Sequence, residues 1–494
     1  MNEKWPERPV IYEINTWVWL HDLSSKYNSI ITLGTVPSQE WDAIATLRVD
    51  AVWLMGVWER SPAGIRIANE NAGLQADFHR ALSDYTLADN VGSAYCVRNY
   101  VVDQRLGGPE GLTLARQMLA QRGLRLILDF VPNHVATDHP WVSEHPEYFV
   151  QGTLDDLNKS PAGFFDAGGS VIANGRDPYF PPWQDVAQLN AFSPSLRHAI
   201  IETLITIADQ CDGVRCDMAM LLINSIFKRT WGNRVSETPS AEYWSELIKA
   251  AHLKYPHLLF IAEAYWDLES DLLQLGFDYC YDKRLYDLLV HENSQHVLQH
   301  LSTGLDYQDR LLRFVENHDE PRAAATFSLE TERAAAVILI TIPGAKLIYE
   351  GQLEGRKVRP PVFLARRPIE PIDEDLQSFY HQLLGIVKQA HLLAGEWQLC
   401  ERSGCPDNTS YMNLLTWCWS QNESRYLIVV NYSDTESQAH IHLPWNNIAG
   451  KTWNLIDVMN EDIFQRDGNE MHQAGLFVDL LAWSFHFLRF ETIV

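Results

Sequence analysis

Four short stretches of the chain set acidic side chains where an apolar, strand-like run gives way to polar residues. They are Asp129-Phe130-Val131-Pro132-Asn133-His134, Gly213-Val214-Arg215-Cys216-Asp217, Ile261-Ala262-Glu263-Ala264 and Val315-Glu316-Asn317-His318-Asp319. Together they supply Asp217, Glu263 and Asp319 in chain order, with His134, His318 and Arg215 beside them. Acetal cleavage with retention of configuration needs one ionised carboxylate as nucleophile and one protonated carboxyl as acid, roughly 5–5.5 Å apart. The surroundings must drive the two ionisations apart. Arg215 stands two residues before Asp217, so on a strand both side chains face one side, and its fixed charge favours the Asp217 carboxylate. Carboxylates gathered at one place disfavour one another's ionisation, so one of the set can carry a proton near neutral pH. Fixed carboxylates then stabilise the positive charge that develops in an oxocarbenium-like transition state.

Such chemistry requires a scaffold that ends several strands at one place. Val10–Ile14, Ala51–Met55, Leu124–Phe130, Gly213–Asp217, Leu258–Glu263, Phe277–Tyr281, Leu311–Val315 and Lys346–Glu350 read as eight buried strands. Between them the spacing predicts helices over Trp41–Leu47, Pro109–Arg122, Ser193–Cys211 and Ala241–Tyr255. Gly123 stops the second of these, and Ser193-Pro194 starts the third with a cap and a proline. Strands alternating with helices in this way predict an α/β fold, a (β/α)8 TIM barrel whose site lies at the strands' C-terminal ends. All four acidic stretches fall there.

The run from about residue 135 to 190 is too long for an ordinary connection and is expected to be a small, loop-rich subdomain inserted after strand 3. After residue 390 the pattern changes to short strands such as Tyr426–Val430, His440–Leu443 and Ser484–Phe490, which predicts a C-terminal antiparallel β-sandwich domain. The expected division is 1–134 with 191–390 as barrel, 135–190 as insert and 391–494 as the all-β domain.

Composition narrows the substrate. The chain has 494 residues, 46% of them hydrophobic, and a formal net charge of −25. That balance disfavours nucleic acid and anionic membranes as partners and suits a neutral polyhydroxylated ligand. No apolar run reaches the length of a transmembrane helix, and Met1–Pro6 lacks the pattern of a secretory signal. Seven cysteines, an odd number, argue for reduced thiols and a cytoplasmic location. No Cys/His spacing of zinc type occurs.

In order and content the four stretches resemble the signature regions of the alpha-amylase family, glycoside hydrolase family 13. The resemblance runs from Val10 to about Gly355. It implies Asp217 as the nucleophile, Glu263 as acid and then base, and Asp319 as the third carboxylate, which holds sugar hydroxyls. It implies His134 and His318 as hydrogen-bonding partners of the reacting sugar, and Tyr95 as an aromatic platform beneath it. Asn133 resembles a residue that supports a loop or binds calcium, and Asp129 one with a supporting role. The reaction implied is hydrolysis of α-glucosidic bonds in an α-linked oligosaccharide or small α-glucoside by double displacement, with no cofactor needed for the chemistry. Transfer to a sugar or phosphate acceptor shares the first half-reaction, and a non-catalytic carbohydrate-binding barrel is a third alternative.

Some positions depart from the family pattern. After Asp217 the chain reads Met218-Ala219-Met220-Leu221 where many relatives carry Lys-His, and Gln188 stands where an Asp is common. The first departure weighs against both long-starch specificity and a structural calcium ion, and the second against assignment to a subfamily. Bland roles compete at each site. Asp217 could be a mere ion-pair partner of Arg215, Glu263 a rim charge, and the histidines packing groups; the ordered set favours catalysis. Trp58 and Trp183 are candidates for sugar stacking, whereas Cys216 reads as a packed thiol and Asp103 as structural.

Overall fold

The computed structural model describes residues 4–493. Its first layer is a set of eight short strands, β1 (Val10–Asn15), β2 (Ala51–Met55), β3 (Arg125–Phe130), β4 (Gly213–Cys216), β5 (Leu259–Ala262), β6 (Tyr279–Tyr281), β7 (Leu311–Arg313) and β8 (Ala345–Tyr349). They form a closed barrel in the order β1-β8-β7-β6-β5-β4-β3-β2. Every residue of these strands is buried, as befits parallel strands covered on both faces.

Local chemistry sets the strand entries. The helix α1 (Gly108–Ala120) ends just before Gly123, whose φ of 74° is a left-handed turn that glycine adopts without a Cβ clash. The chain then enters β3. The helix α2 (Pro194–Ala208) starts on Ser193, which accepts from the Leu196 N–H at 3.4 Å, with Pro194 at its first position. It returns the chain to β4. The helix α3 (Tyr243–Lys254) leads in the same way to β5.

Two compact units make up the chain. One holds Ile11–Tyr281, Val358–Ile369 and the segment up to Pro6; the other holds Glu7–Val10, Asp282–Lys357 and Glu370–Val494. Within the first, parallel pairing runs without a break from β1 through β6.

The insert after β3 is more regular than the loop-rich stretch expected from its sequence. His134–Ala136, Trp183–Gln188, Val171–Gly175 and Phe164–Asp166 form a four-stranded antiparallel sheet in that order. The strands are three to six residues long and separated by Gly and Pro, so alternation has no length over which to show.

The C-terminal β structure consists of a six-stranded and a three-stranded sheet. Leu414, Leu427, Val429, Ala439, Ile441, Val478 and Leu488 form one buried cluster drawn from both sheets, the arrangement of a sandwich. In the same unit the Trp419 indole donates to Thr341 O at 2.7 Å, and Tyr432 Oη donates to Leu289 O at 2.6 Å.

Candidate active site

Asp217 and Glu263 each lie one residue beyond adjacent strands. Cys216 is in register with Ala262, and the Glu263 N–H continues the ladder to Cys216 O at 3.1 Å. The Asp217 N–H donates to Phe130 O at 2.8 Å on the other side. Parallel pairing thus brings two carboxylates level, 46 positions apart in the chain.

Arg215 ties them together. Its side chain is 1% exposed, with Nη1 2.6 Å from Asp217 Oδ1 and Nη2 2.9 Å from Glu263 Oε2. Its Nε donates to Tyr281 Oη at 3.2 Å. The rings of Tyr95, Trp53 and Tyr281 surround the guanidinium, with centroids 5.1, 5.4 and 5.5 Å from it. Burial opposes the charge on Arg215, but Glu263, Tyr281, Tyr95 and Asp217 outweigh it and raise the pKa well above its ordinary value. A buried ion pair of this kind costs desolvation, which the attraction of two carboxylates and the hydrogen bonds of Nη1 and Nε offset.

Glu263 has two more donors. The Met218 N–H reaches Oε2 at 2.6 Å, and the Tyr265 hydroxyl reaches Oε1 at 3.0 Å. Met218 has a φ of 45°, a left-handed conformation that turns the chain directly after Asp217. The apolar residues that follow, Ala219, Met220, Leu221 and Leu222, are at most 3% exposed. Their departure from the family pattern therefore serves packing: Ala219 O accepts from the buried Trp244 indole at 2.7 Å.

Tyr95 is half-buried, with its ring against the Arg215 guanidinium. His134 lies elsewhere in the same unit, on the first strand of the inserted sheet, 5.4 Å from the Trp183 ring. Burial lowers its pKa to about 4, with Asp185 and the Tyr95 backbone acting the other way, so the ring is neutral near pH 7. Its Nδ1 lies 3.1 Å from Asn133 Nδ2, which can only donate.

Asn133 does not present itself as a cation ligand. Its side-chain and backbone oxygens accept from Gln188 Nε2 at 3.0 and 2.9 Å. The amide at 188 thus fills with N–H donors the place a metal would need filled with oxygens.

His318 and Asp319 follow β7 in the second unit. His318 Nε2 is 2.8 Å from Asp319 Oδ2; the histidine side chain is 1% exposed and the carboxylate 40%. Asn317 Oδ1 accepts from the N–H groups of Asp319 and Glu320 at 2.8 and 2.9 Å, fixing the turn. Glu316 pairs with Arg322 at 2.6 Å.

Asp129 is a strut. Its carboxylate accepts from the Trp53 indole at 3.1 Å and the Gly56 N–H at 2.7 Å. Trp58 is not the stacking platform its loop-like sequence suggested. It is 1% exposed, opens the short strand Trp58–Arg60, and donates to Asp129 O at 2.8 Å. Trp183 remains half-buried. Asp103 pairs with Arg105 at 2.8 Å, and Cys216 is fully buried.

Tyr281 and Tyr265 escaped the sequence reading. Ile261 pairs with Tyr279, so Tyr281 stands level with Glu263, and strand parity alone carried that signal. Tyr265 follows Glu263 by two residues in an irregular segment where no periodicity exists.

Residues 38–359 match the family model described as "Alpha amylase, catalytic domain". The chain is similar to the alpha-amylase MalA of Haloarcula japonica, 24% identical over 95% of this chain and 63% of that protein. It is also similar to the intracellular maltogenic amylase of Bacillus subtilis, 18% identical over 78% of this chain and 63% of the relative. The chain thus spans somewhat less than two thirds of these relatives' length. Among solved structures, a noncanonic maltogenic alpha-amylase from Thermotoga neapolitana shares the fold at a TM-score of 0.68, with 18% identity, 98% of this chain and 99% of that one covered. An alpha-amylase from Geobacillus thermoleovorans, complexed with acarbose, aligns at a TM-score of 0.67 with 16% identity and 99% of both chains covered. With the family model matched across nearly the whole barrel, the chain belongs to the alpha-amylase family.

Proposed function

We propose that the protein is a retaining α-glycoside hydrolase that cleaves α-glucosidic bonds in oligosaccharides or small α-glucosides. The observation that carries this reading is the single guanidinium of Arg215 bound to both Asp217 and Glu263 on neighbouring strands. One fork holding both groups favours the short separation of a retaining pair, roughly 5–5.5 Å.

Asp217 attacks the anomeric carbon and forms a β-glycosyl-enzyme. Glu263 gives its proton to the leaving oxygen, then takes one from the attacking water. Asp319, exposed at its carboxylate and braced by His318, holds sugar hydroxyls, and family membership gives His134 and His318 sugar-binding roles. Tyr95 lies beneath the reacting sugar. Family membership and the position of each group after its strand support these roles. The alpha-amylase complexed with acarbose supports an α-linked saccharide as substrate. A cytoplasmic location is supported by seven free cysteines, six of them buried, and by the printed name of the intracellular relative.

The test is product analysis on maltooligosaccharides, sucrose and trehalose, with and without phosphate. Glucose or short products without longer ones are expected. Disproportionation ladders or a sugar phosphate would replace hydrolysis with transfer. Asp217→Asn is expected to lose turnover by several orders of magnitude, about 10⁴-fold or more, and unchanged turnover would refute the nucleophile.

A further inference from the structure

Two of the rings that surround Arg215 lead back to one buried side chain. Arg60 ends the short strand Trp58–Arg60 and is 3% exposed. Its hydrogen bonds go to backbone carbonyls. Nη1 donates to Gly92 O and to Val362 O, the second at 2.7 Å, and Nη2 donates to Gly56 O at 3.4 Å. The Trp17 ring closes one side, 5.4 Å from the guanidinium. Burial pushes the Arg60 pKa down to about 9, with Asp103 acting the other way, so the group is charged near pH 7.

A buried cation bonded to carbonyls, and not to a carboxylate, costs desolvation that an apolar side chain of the same volume would avoid. An apolar side chain cannot hold three carbonyls from separate segments in fixed directions. That task needs the planar fork of arginine, which lysine lacks. The backbone is shaped to the fork. Gly56 has a φ of 76°, and a Cβ there would stand 2.6 Å from Arg60 Nη2.

Two of these carbonyls belong to residues that carry the walls of Arg215. The Gly56 N–H donates to Asp129 Oδ2 at 2.7 Å, and Asp129 Oδ1 accepts from the Trp53 indole at 3.1 Å. Gly92 leads into Ser93, whose Oγ accepts from the Tyr95 N–H at 3.2 Å. Trp53 and Tyr95 are the rings with centroids 5.4 and 5.1 Å from the Arg215 guanidinium. The third carbonyl, of Val362, belongs to a segment that backs the Tyr95 loop. There the Val91 N–H donates to Phe363 O and the Ala365 N–H to Asp89 O, both at 2.9 Å.

We infer that Arg60 is a positioning residue: by fixing Gly56 and Gly92 it sets the Trp53 and Tyr95 rings that shelter Arg215 from water. Its effect on the rate rests on the reading of Asp217 and Glu263 as the catalytic pair; the sheltering itself does not. A sheltered guanidinium acts on Asp217 across a low dielectric and favours the carboxylate, whereas water admitted between the rings screens it.

Hydrogen exchange of the Arg215 Nε–H tests the sheltering. It is followed by NMR in protein labelled with ¹⁵N-arginine, the signal being assigned by its loss in Arg215→Lys. Arg60→Lys is expected to speed that exchange by about tenfold or more. It also moves the acid limb of kcat/KM on a chromogenic α-glucoside upward by roughly half a pH unit, because Asp217 then holds its proton more tightly. Gly92→Ala is the second variant and serves if Arg60→Lys does not fold. It strains a φ of 91° and brings a Cβ within 3.1 Å of Ile65, displacing the carbonyl with the guanidinium intact, and the same two changes are expected. Exchange unchanged in the folded variants would overturn the inference. So would an acid limb that stays in place while Asp217→Asn abolishes turnover, even if urea unfolding showed a loss of stability. Failure of the catalytic reading is distinguishable: Asp217→Asn would keep its turnover, and the exchange rates alone would then decide.

Discussion

The backbone N–H of Met218 donates to Glu263 Oε2 at 2.6 Å, so the residue directly after one candidate catalytic carboxylate holds the other. The contact depends on a φ of 45° at Met218, which proline, fixed near −65° and lacking the N–H, cannot supply. Met218→Pro is expected to lower kcat by about 10²-fold or more, the scale of removing one preorganised donor. Met218→Gly reaches the same φ with the donor intact and keeps most of the turnover. Steady-state rates on one chromogenic α-glucoside compare the two; equal losses would mean that side-chain packing, not the N–H, matters at this position.

Tyr265 bears on the other oxygen of Glu263. We expect Tyr265→Phe to lower kcat roughly tenfold for leaving groups that need protonation, the scale of a hydrogen bond to a charged group. Nitrophenolate leaving groups, which need none, are spared in the first step. A loss equal across a series of leaving-group acidities would mean that Tyr265 supports the fold and not the orientation of Glu263.

Trp58 separates packing from recognition. Truncating a fully buried tryptophan costs about 3–5 kcal/mol, and Trp58→Ala also removes the donor to Asp129 O. Chemical denaturation is expected to show that loss, while KM of the folded fraction stays within about twofold because no contact to sugar is removed. A raised KM with unchanged stability would restore the stacking role.

Much of the barrel was legible because parallel strands buried on both faces write continuous apolar runs such as Ala51–Met55 and Arg125–Phe130. The Arg215–Asp217 pair was legible for the same kind of reason, since strand alternation puts positions two apart on one side. Trp58 was misread because its strand is only three residues long. Tyr281 was missed because its partnership with Arg215 depends on register between strands β4 to β6, which a single sequence does not display. The inserted sheet was hidden likewise: His134 pairs with Gln188 across more than fifty residues. Non-local pairing is the information that local propensity lacks.

The neutral His134 predicts an acid-sensitive fold. Its pKa in the folded chain is about 4, against an ordinary value of 6.5. Between these values the unfolded chain binds the proton that the folded chain refuses, so stability rises with pH across this window. The contribution is complete above about pH 6.5 and is lost as pH falls toward 4. By pH 4.5 the loss from this one group is about 2–3 kcal/mol. His134→Gln keeps an acceptor for the Asn133 amide but has nothing to protonate. Urea unfolding at pH 7 and pH 4.5 is therefore expected to show a smaller difference in the variant by about that amount. Some acid sensitivity will persist, because burial also lowers His139 to about 4. An unchanged difference between the two pH values would mean that the buried ring beside Trp183 already accepts the proton in the folded state.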